Sequence, residues 1–172
     1  IEKLLLAVPK SVWVVIDEAY VEYIDHPQYG SALCLMERFE NLIITRTFSK
    51  IYGLASLRLG YGVTSSGFAD LLNRARQPFT VGGLTLAAGV AALSDDEFVI
   101  ESRQENKKGL RQLEKGLDEL GLPWIPSGGN FLAVDCDRDG QELFRPLLKE
   151  GVIVRAIGEY GMPNYERVSG GL

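Results

Sequence analysis

The sequence contains a single histidine, His26, and this scarcity excludes several kinds of active site. A hydrolase with a Ser/His/Asp or Cys/His centre needs a histidine base, and His26 lies in the turn-like segment Tyr23–Pro27 with no nucleophile motif beside it. One histidine also excludes a multi-histidine metal site within the chain. The only cysteines, Cys34 and Cys136, lie far apart and form no CxxC pair, which predicts two buried, reduced thiols and no metal centre.

Positive charge and long apolar runs are lacking as well. The net charge of -5, from 18 basic and 23 acidic residues, favours neither nucleic-acid binding nor a polybasic membrane anchor. No apolar run approaches the roughly 20 residues of a membrane helix, and the first residues do not resemble a signal peptide, so we expect a cytoplasmic protein. Because the sequence opens on Ile1 without an initiator methionine, we interpret it as a fragment.

The pattern of apolar residues predicts an α/β protein in two parts. Strands at 11–16, 41–46 and 59–64, with helices between and after them, favour a parallel, doubly wound sheet. A long charged helix then begins near residue 94 and ends at Gly121. Strands at 130–135, 152–155 and 166–169 with a helix at 141–150 suggest a small α+β domain. We therefore expect one domain over 1–95 and a second over 96–172.

The stretch 45–61, T-R-T-F-S-K-I-Y-G-L-A-S-L-R-L-G-Y, joins two predicted strands and contains Lys50. A lysine amine forms a Schiff base with an aldehyde only in its neutral form, which desolvation or nearby positive charge favours. Ser49 and Arg58 suit a phosphate, because a hydroxyl donates one hydrogen bond and a guanidinium offers a planar, charged fork. An aldehyde and a phosphate together describe pyridoxal 5'-phosphate.

This cofactor also needs a carboxylate that keeps its ring nitrogen protonated. Asp17, directly after the apolar run S-V-W-V-V-I, is the candidate, and Tyr20 is placed to donate a hydrogen bond to the ring hydroxyl. Two alternatives remain open on local pattern alone: Asp17 caps a turn, and Lys50 and Arg58 are solvated loop residues. The sequence has neither G-x-x-x-x-G-K-[ST] nor G-x-G-x-x-G after a strand, which disfavours a glycine-rich nucleotide site.

Three motifs together resemble the fold-type I aminotransferases, most closely the histidinol-phosphate type: V-I-D-E-A-Y, T-R-T-F-S-K-x-Y-G-L-A-x-L-R-L-G-Y and R-Q-P-F. Further on, P-S-G-G-N-F-L, G-V-I-V-R and R-V-S-G-G are similar to small-domain strands of the family, so the resemblance covers nearly the whole chain. It implies the C-terminal half of the fold, namely part of the three-layer, cofactor-binding large domain followed by a small α+β domain.

The resemblance also implies a role for individual residues. Lys50 matches the Schiff-base lysine, which also moves the proton between substrate and cofactor carbons. Asp17 matches the pyridinium partner, Tyr20 the donor to the ring oxygen, and Ser49 and Arg58 the phosphate ligands.

Three residues of the predicted small domain match substrate-side positions of the family. Arg167 matches the arginine that pairs with the substrate α-carboxylate, which the 2-oxoglutarate/glutamate partner carries. Arg155 matches a second arginine for the phosphate of histidinol phosphate, and Asn130 a residue near the substrate. For both arginines the local sequence leaves a surface ion pair open.

The implied function is transamination between histidinol phosphate and 2-oxoglutarate in histidine biosynthesis, by a homodimer that binds an amino donor and a 2-oxo acid. An aromatic amino-acid aminotransferase, a threonine-phosphate decarboxylase and a non-catalytic folded fragment are the alternatives.

The sequence departs from the family pattern in two places and lacks one half of it. Ser56 stands where glycine is usual in the phosphate loop, and Ser169 where threonine is usual. The N-terminal half of the family supplies a glycine-rich loop and an aromatic residue stacked on the ring, and it is absent here. We therefore expect the fragment alone to be inactive.

Overall fold

The computed structural model describes residues 1–26 and 28–170 and forms two compact units. Unit 1 is Ile1–Ile100, and unit 2 begins at Glu101. The interpretations that involve Pro27, Gly171 and Leu172 lie outside the described residues. Over the described ranges, none of the helices has the length and apolar character needed to cross a membrane.

Unit 1 is built on a three-stranded sheet of order β1-β2-β3, with β1 at Val14–Asp17, β2 at Leu42–Thr47 and β3 at Gly60–Val63. Strands β1 and β2 are parallel, and β2 and β3 are antiparallel. The prediction of a wholly parallel sheet is therefore wrong for β3. Parallel neighbours need a long crossover, usually an α-helix, whereas residues 48–59 form turns and a short 3-10 helix that reverse the chain.

The core of unit 1 lies under β2. Leu42 and Ile44 of this strand are fully buried, and they pack with Leu5 of the first helix and Ala32 of a 3-10 turn. The helix expected between the first two strands is a 3-10 helix at Ala32–Leu35 rather than an α-helix. The α-helices are α1 at Glu2–Ala7, α2 at Ser66–Ala75, α3 at Gly83–Leu93 and α4 at Asp96–Leu120, the last running into unit 2.

Unit 2 carries a four-stranded antiparallel sheet of order β4-β5-β7-β6 and one further helix, α5, at Gly140–Lys149. The strands are β4 at Trp124–Ile125, β5 at Phe131–Asp135, β6 at Arg155–Ala156 and β7 at Tyr165–Ser169. The predicted strand at 152–155 is wrong except at Arg155. The α+β character of this part is as predicted, and Gly121 ends α4 with a left-handed φ of 69°.

The two cysteines differ in burial. Cys136 is half-buried, and burial raises the pKa of its thiol. Cys34 is exposed, so the prediction of a buried thiol is wrong there, because Ala32 takes the buried position of the 3-10 turn. Both are free thiols. Within the residues described, His, Cys, Asp and Glu form no group of three or more that could hold a metal ion.

Gly89 sits where α3 approaches the loop after β2. A Cβ on Gly89 would lie 2.5 Å from Cδ2 of Leu59 and 3.6 Å from Cζ of Phe48. We expect Gly89→Ala to make the protein less stable than Gly67→Ala by about 1–2 kcal/mol, because buried Leu59 must move. Gly67 is the matched control in α2, with open space around it. Urea unfolding of both variants measures the difference, and equal stability would contradict this packing.

Candidate active site

A cavity of about 430 Å³ lies in unit 1 at the carboxyl ends of the parallel strands β1 and β2. Open α/β sheets bind ligands at this edge. Four of the five predicted cofactor residues line the cavity, and the fifth, Tyr20, lies beside Lys50. Its lining consists of Asp17, Ala19, Thr45, Arg46, Thr47, Ser49, Lys50, Ala55 and Arg58.

Lys50 is held between two buried anchors. The side chains before and after the Ser49–Lys50 pair, Phe48 and Ile51, are each 3% exposed. The turn is closed by backbone hydrogen bonds from Gly53 N to the Lys50 carbonyl, 2.9 Å, and from Phe48 N to the Leu59 carbonyl, 3.1 Å. The Lys50 side chain is half-buried.

The ammonium of Lys50 lies over an aromatic face. Its Nζ is 5.1 Å from the centroid of the Tyr20 ring. This cation–π contact orients the amine and places the tyrosine next to it.

Asp17 both closes a turn and faces the cavity. Its Oδ1 accepts hydrogen bonds from Ala19 N at 3.0 Å and from Thr45 Oγ1 at 3.4 Å. The first contact is the turn cap that the local sequence suggested, and the second crosses to β2, where Thr45 is the direct partner of Asp17. The side chain remains exposed on the cavity wall.

Ser49 and Arg58 converge on one side of the cavity. Nη1 of Arg58 lies 3.5 Å from Ser49 Oγ and donates to the Ala55 carbonyl at 2.8 Å. Arg58 has a φ of 53°, a left-handed conformation that costs a non-glycine residue about 1 kcal/mol or more. This conformation turns the guanidinium back over the 3-10 helix Ala55–Leu57, so that a hydroxyl and a charged fork face the same space. Ser56 lies exposed on that helix and is not among the lining residues.

Glu18 and Arg46 form a buried pair that the sequence reasoning missed. The Glu18 side chain is 5% exposed and that of Arg46 is 16% exposed. Arg46 donates to Glu18 Oε2 from Nε at 3.1 Å and from Nη2 at 2.8 Å. Burial opposes the charge on Arg46, yet hydrogen bonds to Glu18 and Tyr61 raise its pKa overall. Glu18 and Arg46 are far apart in sequence, and the register of β1 and β2 brings them together. The sequence indicated this pair only by placing a second acidic residue directly after Asp17.

The two predicted substrate arginines are direct cross-strand partners in unit 2, since Arg155 on β6 pairs with Arg167 on β7. The guanidinium carbon of Arg167 lies 5.3 Å from the Phe131 ring centroid, and its buried Nε has no hydrogen-bond partner among the described residues. Arg155 is exposed and pairs with Glu159. The surface ion pair that the sequence left open is therefore present at Arg155.

Asn130, the third predicted substrate residue, is half-buried just before β5. Its carbonyl accepts a hydrogen bond from Gly170 N at 3.0 Å, which extends the β5–β7 ladder.

Unit 1 is an α/β domain with a mixed sheet, and its lysine, serine, arginine and aspartate line one cavity at the edge where such sheets bind ligands. The chain belongs to the family "aminotransferase class I and II", whose sequence profile matches residues 1–171. The resemblance and the fold class expected from the sequence are thus confirmed.

Two relatives at 50–52% identity are both described as histidinol-phosphate aminotransferases. "Histidinol-phosphate aminotransferase 2" of Pseudomonas aeruginosa is 52% identical over 172 residues, which are 100% of this chain and 47% of that protein. "Histidinol-phosphate aminotransferase 1" of Nitrosococcus oceani is 50% identical over 171 residues, 99% of this chain and 46% of the relative. The chain therefore spans about half the length of these relatives.

A solved structure is also similar. The histidinol-phosphate aminotransferase of Sinorhizobium meliloti, in complex with pyridoxal-5'-phosphate, superposes with a TM-score of 0.89 at 30% identity over 98% of this chain and 48% of that chain.

Glu166, next to Arg167 on β7, is also buried. It is 1% exposed, and both of its carboxyl oxygens lack a hydrogen-bond partner within the described part of the chain. A Cβ on Gly140 would lie 3.3 Å from Oε1, so the close approach of α5 leaves little space around the group. Burial raises the pKa of Glu166. The folded unit therefore binds this proton more tightly than the unfolded chain does.

We expect Glu166→Gln to stabilise unit 2 increasingly as pH rises. The native protein loses stability from about pH 4.3, the ordinary pKa of glutamate, upward through the raised folded pKa. The two proteins should match near pH 4 and differ on the order of 1 kcal/mol at pH 8. Urea unfolding followed by Trp124 fluorescence, in a Trp13→Phe background, reports on unit 2. A difference that does not change with pH would refute the assignment.

Proposed function

We propose that this chain is the lysine-bearing part of a pyridoxal-phosphate-dependent aminotransferase, which exchanges an amino group between histidinol phosphate and 2-oxoglutarate in histidine biosynthesis. The observation that carries the proposal is the convergence of Asp17, Ser49, Lys50 and Arg58 on one cavity. The description shared by relatives at 50–52% identity supports histidinol phosphate as the amino donor.

The residues around the cavity fit the parts of this cofactor. Ser49 and Arg58, 3.5 Å apart, offer a hydroxyl and a guanidinium to the phosphate. Nζ of Lys50 would hold the cofactor through its aldehyde, with loss of water, and, once the substrate amine has replaced it, would take and return the proton of the substrate carbon. Asp17 keeps the ring nitrogen protonated, and Tyr20 donates to the ring oxygen. The bound cofactor supplies the electron sink that makes this proton removable.

The substrate side of the proposal rests on unit 2. The buried Nε of Arg167 has no hydrogen-bond partner within the described residues. A carboxylate would accept this hydrogen bond, and a buried donor without an acceptor is costly. Arg155 lies directly across the strand pair, so two guanidinium groups share one face of the sheet. We assign the α-carboxylate of 2-oxoglutarate and glutamate to Arg167, the phosphate of histidinol phosphate to Arg155, and a place near the substrate to Asn130.

The domain division and the assembly are proposed from the sequence and its resemblance to the family. We propose a cofactor-binding part over 1–95 and a small domain over 96–172, a division that keeps α4, which begins at Asp96, whole. We also propose a cytoplasmic homodimer. Because this chain spans about half the length of its relatives, we expect further cofactor contacts outside it and weak binding, without turnover, by the 172 residues alone.

Reductive trapping tests the cofactor assignment. We expect pyridoxal phosphate and borohydride to modify Lys50 about tenfold more than exposed Lys10, because Ser49 and Arg58 hold the phosphate beside Lys50. Peptide mass spectrometry measures both sites. Arg58→Ala should remove the preference, and Arg38→Ala, a surface arginine of the same unit, should keep it. Equal modification of Lys50 and Lys10 would remove the proposed function.

A substrate assay tests the amino donor. With the N-terminal half that the relatives possess restored, we expect turnover of histidinol phosphate with 2-oxoglutarate. Arg155→Ala should raise the KM for histidinol phosphate about tenfold or more and change the KM for 2-oxoglutarate little, since only the former carries a phosphate. Coupled glutamate formation gives both constants. If the enzyme turns over a non-phosphorylated aromatic amino acid and not histidinol phosphate, the assignment of the amino donor is wrong.

A further inference from the structure

The carboxylate of Glu18 is saturated with hydrogen bonds. Ser31 Oγ donates to Oε1 at 3.1 Å and Oε2 at 2.8 Å, and Ala32 N donates to Oε1 at 2.6 Å. Arg46 supplies the other two bonds, and its Nη2 also donates to Ser31 Oγ at 2.8 Å. Three separate segments of the chain therefore meet at one buried carboxylate.

These three segments include both strand ends that carry the site. Glu18 follows Asp17, and its backbone N donates to the Thr45 carbonyl at 2.9 Å, which continues the β1–β2 ladder. Arg46 follows Thr45, and two residues separate it from the Ser49–Lys50 turn. The hydrogen bonds between the Glu18 and Arg46 side chains consequently hold the end of β1 against the start of the turn that carries Lys50.

The pair also neutralises Arg46 where it lies. The Arg46 side chain is 16% exposed, and its Nε and Nη2 both donate to Glu18 Oε2. Removing Glu18 would leave a largely buried guanidinium without that charge partner, which is costly.

We infer that Glu18 is a positioning residue, which through Arg46 ties the Asp17-bearing strand end to the turn that carries Lys50. The part of this inference that concerns the cofactor rests on the proposed function. The clamp between the two strand ends is independent of it, and each can be tested by its own measurement.

The test compares Glu18→Gln and Arg46→Lys with Glu2→Gln. Glutamine keeps the shape of Glu18 but not its charge, and lysine keeps the charge of Arg46 but not the fork. Glu2→Gln is the matched control in unit 1, because it breaks the exposed Glu2–Arg38 pair, 2.6 Å long. The readouts are hydrogen exchange of residues 45–53, with β5 of unit 2 as the internal reference, and reductive trapping of pyridoxal phosphate at Lys50.

We expect Glu18→Gln to speed exchange over 45–53 about tenfold relative to β5 and to reduce trapping at Lys50 by a similar factor, with a smaller change in Arg46→Lys. Glu2→Gln should change neither. Exchange over 45–53 that rises no more than in β5 overturns the inference, since Glu18 would then act on stability alone. Faster exchange with trapping unchanged overturns the part concerning the cofactor. If the unsubstituted protein traps no cofactor, the proposed function fails, and exchange still decides the clamp.

Discussion

The parallel pairing of β1 and β2 is the constraint on which the candidate site depends. Its register sets Asp17 opposite Thr45, so the carboxylate lies at the level where β2 gives way to the lysine turn. Because side chains alternate along a strand, a slip of one residue would turn Asp17 inward and expose an apolar neighbour. The buried pair of Leu42 and Ile44 on β2 opposes such a slip, since both would leave the core.

The turn after β2 shows how a short segment is made rigid enough to hold an amine. Phe48 and Ile51 are buried on either side of Ser49 and Lys50, and the backbone is closed by hydrogen bonds to Gly53 and Leu59. Packing of this kind also supports the left-handed Arg58, whose conformation is unfavourable alone. Within residues 48–59, the non-glycine residue with this strained conformation is Arg58, whose guanidinium faces Ser49.

The sequence was most informative where a residue's chemistry and its place in a strand coincide. A buried apolar run ending in aspartate, and a lysine turn between two runs, were sufficient to predict the elements that form the cavity edge. The antiparallel direction of β3 followed from the path of residues 48–59, which periodicity does not describe. Strand β4 has two residues, too few for any pattern. Glu18 was missed because its partner Arg46 is distant in sequence and only pairing in space reveals it.

In unit 2, the alternation of side chains along β7 separates two charged neighbours. Glu166 and Arg167 are neighbours, so one is directed into the unit and the other to the opposite face. The arginine face carries a second cation directly across the strand pair, an arrangement that is unfavourable unless negative charge is near. Glu159 supplies this negative charge at Arg155. The Phe131 ring packs against the guanidinium of Arg167, but the buried Nε of Arg167 has no hydrogen-bond partner among the described residues. A buried donor of this kind on this face of the sheet favours a bound oxygen acceptor.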